Sequence, residues 1–240
     1  MNPIVLIPAR MAATRLPGKP LADIAGVPMI VRVLRQAQAA GIGPVVVAAG
    51  DAEIVAAVEA AGGRAVLTDP DLASGSDRIL SALSQIDPDG RHGAVINLQG
   101  DMPFVGPQVV SACADLLAAN PACDIATLIA PEVSPADRAN PDVVKAIIAA
   151  SGRALYFTRS TLYGGGPVWR HIGIYGYRRV ALEAFTAAAP SPLERREKLE
   201  QLRALELGLT IWTAAIDDAP ISVDNPADLE RAREHARKTS

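Results

Sequence analysis

Hydrophobic positions along the chain fall into short unbroken runs that alternate with longer runs repeating every three or four residues. The first run, "PIVLIPA" at 3–9, has no polar interruption, the pattern of a strand buried on both faces. Residues 28–40, "PMIVRVLRQAQAA", change to helical spacing, with Pro28 in the first turn and Gly41 as the stop. The same alternation predicts a strand at 43–49, an amphipathic helix at 51–61 ended by Gly62 and Gly63, a strand at 64–68 and a helix at 76–86. A fourth strand at 94–100 and a fourth helix at 107–119 follow. Such a succession implies right-handed βαβ crossovers and an α/β protein of three layers, a mostly parallel sheet covered on both faces. Ligands of these sheets collect outside the carboxyl ends of the strands.

Beyond residue 121 the alternation loosens. The segments "DIATLIAPEV", "VVKAIIAA", "ALYFT" and "HIGIYGY" read as antiparallel strands added beside the parallel core, with "SGR" as a turn. Helices return at 178–189 and 191–208, "LTIWTAAI" supplies one more strand, and Asn225 caps a last helix that starts at Pro226. No internal repeat, low-complexity tract or linker interrupts the chain. Residues 1–240 therefore read as one domain with a small antiparallel excursion at about 130–190.

Composition narrows the class. At 240 residues, 50% hydrophobic and 20% charged, the chain matches an ordinary globular enzyme. A chain this long buries about 70 to 75% of its unfolded surface, enough for a core without disulfides or structural metal. Cys113 and Cys123 have neither CxxC spacing nor a wider framework and read as small apolar residues in a reducing compartment, which points to a cytoplasmic protein. The N-terminus lacks a basic stretch followed by an apolar core, and no run of about eighteen uncharged apolar residues occurs, so neither export nor membrane spanning is expected. A net charge of −3 argues against nucleic acid as a partner. Local clusters of cations are then sites and not part of a general field.

One such cluster follows the first strand. The loop "IPARMAATRLPGKPL", 7–21, places Arg10, Arg15 and Lys19 among Pro17, Gly18 and Pro20. Unpaired backbone N–H groups beside three cations suit a multiply charged phosphate. The spacing fits neither GxxxxGK[ST] nor GxGxxG, and Arg15 taken alone also reads as a solvated charge. In "NLQGDMP", 97–103, Asp101 stands at a strand tip, where it either holds a hard cation such as Mg²⁺ or stabilises its own turn. "ISVDNPADL" offers Asp224 as a partner carboxylate, which a wound sheet can bring to Asp101 although half the chain separates them. "SGSDR", 74–78, puts Ser74 and Arg78 at a helix start, where they grip a phosphate or ribose, or where a serine simply caps the helix.

Taken in order, "IPARMAATRLPGKPL", "SGSDR", "NLQGDMP", "ALYFTRS", "RHIGIYGYRR", "PSPLERREKLEQLRALE" and "SVDNPADLERAR" resemble the 3-deoxy-manno-octulosonate cytidylyltransferases, the CMP-Kdo synthetases of Gram-negative bacteria. The resemblance spans nearly the whole chain. It implies a Rossmann-like, glycosyltransferase-A-like nucleotidyltransferase sheet in a cytosolic, Mg²⁺-dependent homodimer. Such an enzyme makes CMP-Kdo and pyrophosphate from CTP and Kdo for lipopolysaccharide synthesis.

Position by position, the resemblance assigns Arg10, Arg15 and Lys19 to the CTP phosphates, with Lys19 also catalytic, and Ser74 and Arg78 to the nucleotide pocket. Asp101 and Asp224 become catalytic metal ligands. Gln99, Arg159, His171, Tyr175, Glu200 and Gln201 become the sugar-acid positions, with Arg159 facing the carboxylate. The excursion at about 130–190 becomes the sugar-site and dimerisation region. In-line attack by the anomeric hydroxyl on the α-phosphorus then requires charge stabilisation and no protein nucleophile.

Without the resemblance, His171 beside Ile172 reads as a satisfied core histidine, and Tyr175 and Tyr177 mark one half-buried strand face. The charges around Glu200 and Gln201 read as a solvated, ion-paired helix. The chain departs from the family pattern at Met102, where glutamate is frequent, and at "AAGD", where "ATD" is frequent and Asp51 stands in. It departs again in the short "YGGGPVW", 163–169. That short connection admits another sugar acid, an 8-amino analogue or a sialic-type acid, as an alternative substrate. A non-catalytic nucleotide-binding module would be expected to lose Lys19, Asp101 or Asp224, and all three are present.

Overall fold

In the computed structural model, which describes residues 1–12, 15–131, 135–160 and 168–239, the opening apolar run is strand β1 (Pro3–Ala9). Ile4, Val5, Leu6 and Ile7 are at most 1% exposed, as both-face burial of a parallel strand requires. A single 3₁₀ turn at Lys19–Leu21 and a short hairpin, β2 (Asp23–Ile24) and β3 (Val27–Pro28), come next. The hairpin was not predicted. Its turn takes positive φ at both central residues, 51° at Ala25 and 78° at Gly26, and only the glycine signals this in the sequence.

Pro28 closes β3 and precedes helix α1 (Met29–Ala39) instead of lying in its first turn. Strand β4 (Val45–Ala49), helix α2 (Ala52–Ala60), strand β5 (Ala65–Leu67), helix α3 (Gly75–Ile86), strand β6 (Ala94–Asn97) and helix α4 (Pro107–Ala119) then alternate as expected. The strands pair in the order β6-β1-β4-β5, all parallel, with Leu6 opposite both Asn97 and Val46. β6 stops at Asn97, short of the predicted residue 100. Beyond it the chain turns across β1, so closely that a Cβ on Gly100 would lie 3.0 Å from the Pro8 carbonyl oxygen.

Contacts divide the chain into two compact units, Met1–Ser111 with Pro220–Ser240, and Ala112–Ala219. The second contains strand β7 (Ile125–Pro131), helix α5 (Pro135–Ala139), strands β8 (Lys145–Ile148), β9 (Ala154–Thr158) and β10 (Trp169–Arg178), helices α6 (Arg179–Ala187), α7 (Pro192–Glu197) and α8 (Gln201–Glu206), and strand β11 (Ile211–Ala215). β10 runs antiparallel to β7 and β8, and β8 antiparallel to β9, the antiparallel addition expected beside the parallel core. β11 joins β7 in parallel.

The single helix predicted at 191–208 is two. Lys198 takes left-handed φ of 55°, which ends α7 and turns Leu199 inward to 5% exposure. The charged pattern of "ERREKLEQLR" hides this break, because helical spacing of charges persists on both sides of it.

The chain ends in the first unit with α9 (Pro226–Thr239), capped as predicted by Asn225, whose Oδ1 accepts the Asp228 N–H at 3.0 Å. Leu229, Ala232 and Ala236 of α9 form one apolar cluster with Val223, Ile24 and Met29. Among the described residues no helix is long and apolar enough to cross a membrane.

Candidate active site

The opening loop turns back on itself at Gly18, whose φ of 71° lets its N–H reach the Met11 carbonyl at 3.1 Å. Asp51, at the end of β4, accepts the Met11 N–H at 2.7 Å and so pins the loop. The following 3₁₀ turn aims Lys19 across the strand ends. Its Nζ lies 2.9 Å from Asp101 Oδ2, 2.9 Å from the Val223 carbonyl oxygen and 3.6 Å from Asp224 Oδ1. The Val223 N–H in turn donates to the Asp101 carbonyl at 2.9 Å. The two carboxylates nominated from opposite halves of the chain therefore meet at one ammonium. Arg15 joins them from the solvent side, 3.3 Å from Asp224 Oδ1.

Asp101 Oδ1 is buried and has no hydrogen-bond partner among the described residues. Burial pushes the Asp101 carboxyl above its ordinary range, opposed by Lys19 and reinforced by Asp224. A desolvated carboxylate with one unused oxygen, beside a second carboxylate, suits a hard divalent cation. Among the described residues no group of three or more His, Cys, Asp or Glu is placed to hold a metal by itself. The pair fits an ion such as Mg²⁺, which takes one or two carboxylates and completes its shell with phosphate oxygens and water.

Two adjoining pockets open along the carboxyl end of β1, both lined by Pro8, Ala9, Arg10 and Gln99. One continues to Lys19 and Asp101, the other to Ser74 and Arg78. Arg10 is exposed and bonds only weakly to the Leu72 carbonyl, at 3.4 Å.

Arg78 is 2% exposed, and its guanidinium donates to Thr68 Oγ1 at 2.6 Å, the Asp69 carbonyl at 2.9 Å and the Pro70 carbonyl at 3.1 Å. It holds the wall of the pocket. Gly50 makes room for it, since a Cβ there would sit 2.8 Å from Arg78 Nη1. Ser74 caps α3 in a reciprocal box with Asp77, the simpler of its two readings. Gln99 belongs to this unit and bonds Asn97 Oδ1 at 3.2 Å.

The other five positions that the resemblance assigns to the sugar acid lie in the second unit. His171 Nε2 is 2.9 Å from Thr127 Oγ1, and its ring packs 4.8 Å from Phe157 and 5.5 Å from Tyr175. Burial pushes the imidazole down to about 3 and the Tyr175 phenol well up, so both are neutral at physiological pH. Tyr175 and Tyr177 share a face as predicted, with ring centres 5.8 Å apart. Gln201 is 6% exposed, with its Nε2 unpartnered among the described residues. Glu200 lies 3.5 Å from Arg203 on the same helical segment, and Arg159 Nη1 donates to the Pro141 carbonyl at 2.9 Å.

Sequence reasoning passed over several residues that position the site. Glu197 accepts from Thr158 Oγ1 at 3.0 Å, Tyr156 OH at 3.2 Å and the Arg159 N–H at 3.4 Å, tying the end of β9 to α7. Burial pushes its carboxyl up, but these donors prevail and hold it below the usual range. Asp228, three places after Asn225, carries a legible signal in its capping-box spacing. Met102 is buried at 7% exposure and leaves Asp101 in place. Most of the short connection "YGGGPVW" lies outside the described residues.

The profile of the cytidylyltransferase family matches residues 4–211. The 3-deoxy-manno-octulosonate cytidylyltransferase of Parvibaculum lavamentivorans is 56% identical over 237 residues, covering 97% of this chain and 92% of its own. The enzyme of the same name from Rhodospirillum centenum is 58% identical over 238 residues, with the same coverage. A solved CMP:2-keto-3-deoxy-manno-octonic acid synthetase complexed with CTP superposes with a TM-score of 0.94 at 36% identity, over 100% of both chains. Its agreement confirms the α/β nucleotidyltransferase architecture expected from the strand and helix alternation. A 4-diphosphocytidyl-2C-methyl-D-erythritol synthase from Anaerococcus prevotii, at 11% identity and a TM-score of 0.66, shares the fold. With a family profile over most of its length and relatives this similar end to end, the chain belongs to the cytidylyltransferase family, among the 3-deoxy-manno-octulosonate cytidylyltransferases.

Proposed function

We propose that this chain transfers CMP from CTP to 3-deoxy-D-manno-octulosonate (Kdo), releasing pyrophosphate. In the same reading it is a cytoplasmic homodimer that uses Mg²⁺ and supplies CMP-Kdo to lipopolysaccharide synthesis. The observation that carries the reading is the meeting of Lys19, Asp101 and Asp224 beside a pocket lined by Arg10, in a chain whose 56% and 58% identical relatives bear this enzyme's name.

Arg10, Arg15 and Lys19 offset the charge of the triphosphate, and the bond from Met11 to Asp51 keeps their loop preformed, so little reorganisation is needed when substrate binds. The anomeric hydroxyl oxygen of Kdo bonds to the α-phosphorus as the bond from that phosphorus to the bridging oxygen breaks. Pyrophosphate leaves with the electron pair, and the hydroxyl proton is released to solvent water. Asp101 and Asp224 would hold Mg²⁺, Asp101 through the oxygen that has no partner among the described residues. The chemistry Mg²⁺ supplies when bound is neutralisation of charge on the phosphoryl oxygens. On the sugar side, Arg159 offers a cation for the carboxylate, and neutral His171 and Tyr175 offer hydrogen bonds without competing charge. Gln201 offers a desolvated amide donor that has no partner among the described residues and suits a ligand acceptor.

Purified protein given CTP, Mg²⁺ and Kdo is expected to release pyrophosphate stoichiometrically with CMP-Kdo. An 8-amino analogue, a sialic acid and the other nucleoside triphosphates serve as controls. Turnover with another acid and none with Kdo would overturn the substrate assignment.

A further inference from the structure

Asp228 is 8% exposed and bonds the backbone that carries Asp224. Its Oδ2 accepts the Asn225 N–H at 3.1 Å, and Asn225 Oδ1 accepts the Asp228 N–H at 3.0 Å, the reciprocal bonds of a capping box. A box needs no more than this. The same Oδ2 also accepts the Asp224 N–H at 2.8 Å, one residue before the cap, where helix formation has no use for the bond.

Asp228 is itself held firmly. Arg231 pairs with its other oxygen, and its chain neighbour Leu229 is anchored in the apolar cluster with Val223, Ile24 and Met29. On the far side of Asp224, Val223 is fixed by its N–H on the Asp101 carbonyl and by its own carbonyl on Lys19. The backbone of Asp224 is thus held on both sides, and the Asp228 bond can be removed without touching Lys19 or Asp101; the Asp224 carboxylate itself accepts from Ser222 Oγ and from Arg15, each at 3.3 Å.

The geometry points to Asp228 as a positioning residue that directs the Asp224 carboxylate toward Asp101 and so sets the affinity of the pair for a divalent cation. The physical demand comes from the ion. Mg²⁺ requires near-octahedral placement of its oxygens, and groups that orient metal ligands typically carry 10- to 100-fold of metal affinity, about tenfold at the lower end. The inference rests on the reading of Asp101 and Asp224 as metal ligands.

Water-proton relaxation enhancement by Mn²⁺, with CTP present and Kdo absent, reads the ion held by the protein, and melting temperature is followed in parallel. Asp228→Ala is expected to weaken Mn²⁺ binding about tenfold. Asp228→Asn, which keeps one oxygen for both N–H groups, is expected to stay within about threefold of the unaltered protein. Ala232→Gly loosens α9 without touching a carboxylate; it is expected to lower the melting temperature as Asp228→Ala does but to leave Mn²⁺ affinity unchanged. Unchanged affinity in Asp228→Ala, or an equal loss in Ala232→Gly, would overturn the inference. Asp224→Asn separates it from the reading beneath it. If that variant binds Mn²⁺ normally, Asp224 is not a ligand; if it loses the ion while Asp228→Ala keeps it, only the positioning role fails.

Discussion

The ammonium of Lys19 lies 2.9 Å from Asp101 Oδ2, with the two side chains 18% and 22% exposed. One cation so neutralises a desolvated carboxylate, and Asp224 shares it from 3.6 Å. Removing it leaves two carboxylates repelling each other and, in the proposed reading, takes one cation from the triphosphate site. Lys19→Met is expected to lower turnover about 100-fold or more, the scale of a lost electrostatic contact to the reacting group. Steady-state kinetics with CTP and Kdo checks this, and a loss under about threefold would remove Lys19 from the machinery.

Burial holds the Asp101 carboxyl above its ordinary range despite Lys19. The native state then keeps this proton to higher pH than the unfolded chain, whose aspartates titrate near about 3.9, so metal-free protein loses stability as pH rises through that interval. Asp101→Asn abolishes the penalty. It is expected to lower turnover about 100-fold or more while melting, in EDTA at neutral pH, no lower than the unaltered protein. Thermal melts at pH 4 and at neutral pH test the sign, and a large drop confined to the variant would refute it.

Burial also pushes His171 down to about 3, whereas an unfolded histidine titrates near about 6.5. The unfolded chain takes up a proton that the native ring refuses, so this contribution to stability is complete above about 6.5 and is lost as pH falls toward about 3. The ring signals of His171 in an NMR titration are expected to stay constant from pH 8 to pH 5. A midpoint at about 6.5 would contradict the desolvation of the ring by its packing against Thr127 and Phe157.

Gly50 stands where any side chain meets the pocket wall. A Cβ there would lie 2.8 Å from Arg78 Nη1 and 3.2 Å from Arg10 Cβ. Gly50→Ala is expected to cost about 1 to 3 kcal/mol of stability through overpacking. Displacement of Arg10 is expected to raise the KM for CTP while the KM for Kdo changes little. Equal shifts in both constants would argue against a local effect.

In the second unit, Arg203 and Glu194 pair at 2.7 Å with side chains only 7% and 14% exposed. The bond from Arg203 is the main cause that holds the Glu194 carboxyl below its usual range, so the stability it contributes is present above about pH 4.3 and is lost as pH falls through the native value. Glu194→Ala takes the closest carboxylate from a buried guanidinium that keeps Glu200 at 3.5 Å and the Phe185 and Ala188 carbonyls at 3.3 Å, and is expected to cost about 3 kcal/mol. Because α8 carries Gln201, the KM for Kdo is expected to rise; denaturant melts and kinetics read the two effects separately.

The chain's own periodicity determined most of the fold. β1, α4 and the start of α9 were legible to the residue, because an unbroken apolar run, an apolar helix opened by Pro107 and an Asn-Pro start are local signals. The sequence also brought forward Arg10, Arg15 and Lys19 as candidates, since cations, glycines and prolines after a buried strand suit a multiply charged phosphate. Ser74 showed the limit of that logic: its spacing allowed both a ligand and a cap, and the structure uses its hydroxyl as a cap.

Tertiary structure alone decided which charge meets which. Arg78, an open cation in the sequence, is spent on Thr68, Asp69 and Pro70 once α3 packs beside β1 and β4. The break at Lys198 follows from turning Leu199 into the core, a tertiary gain that overrides the helical spacing around it. The meeting of Lys19, Asp101 and Asp224 depends on strand order and on the close passage of Gly100 over β1, neither of which any local pattern encodes. Local periodicity sets where elements begin and end, whereas long-range pairing and desolvation choose the partners of charged side chains, and the candidate site is made of the second kind of choice.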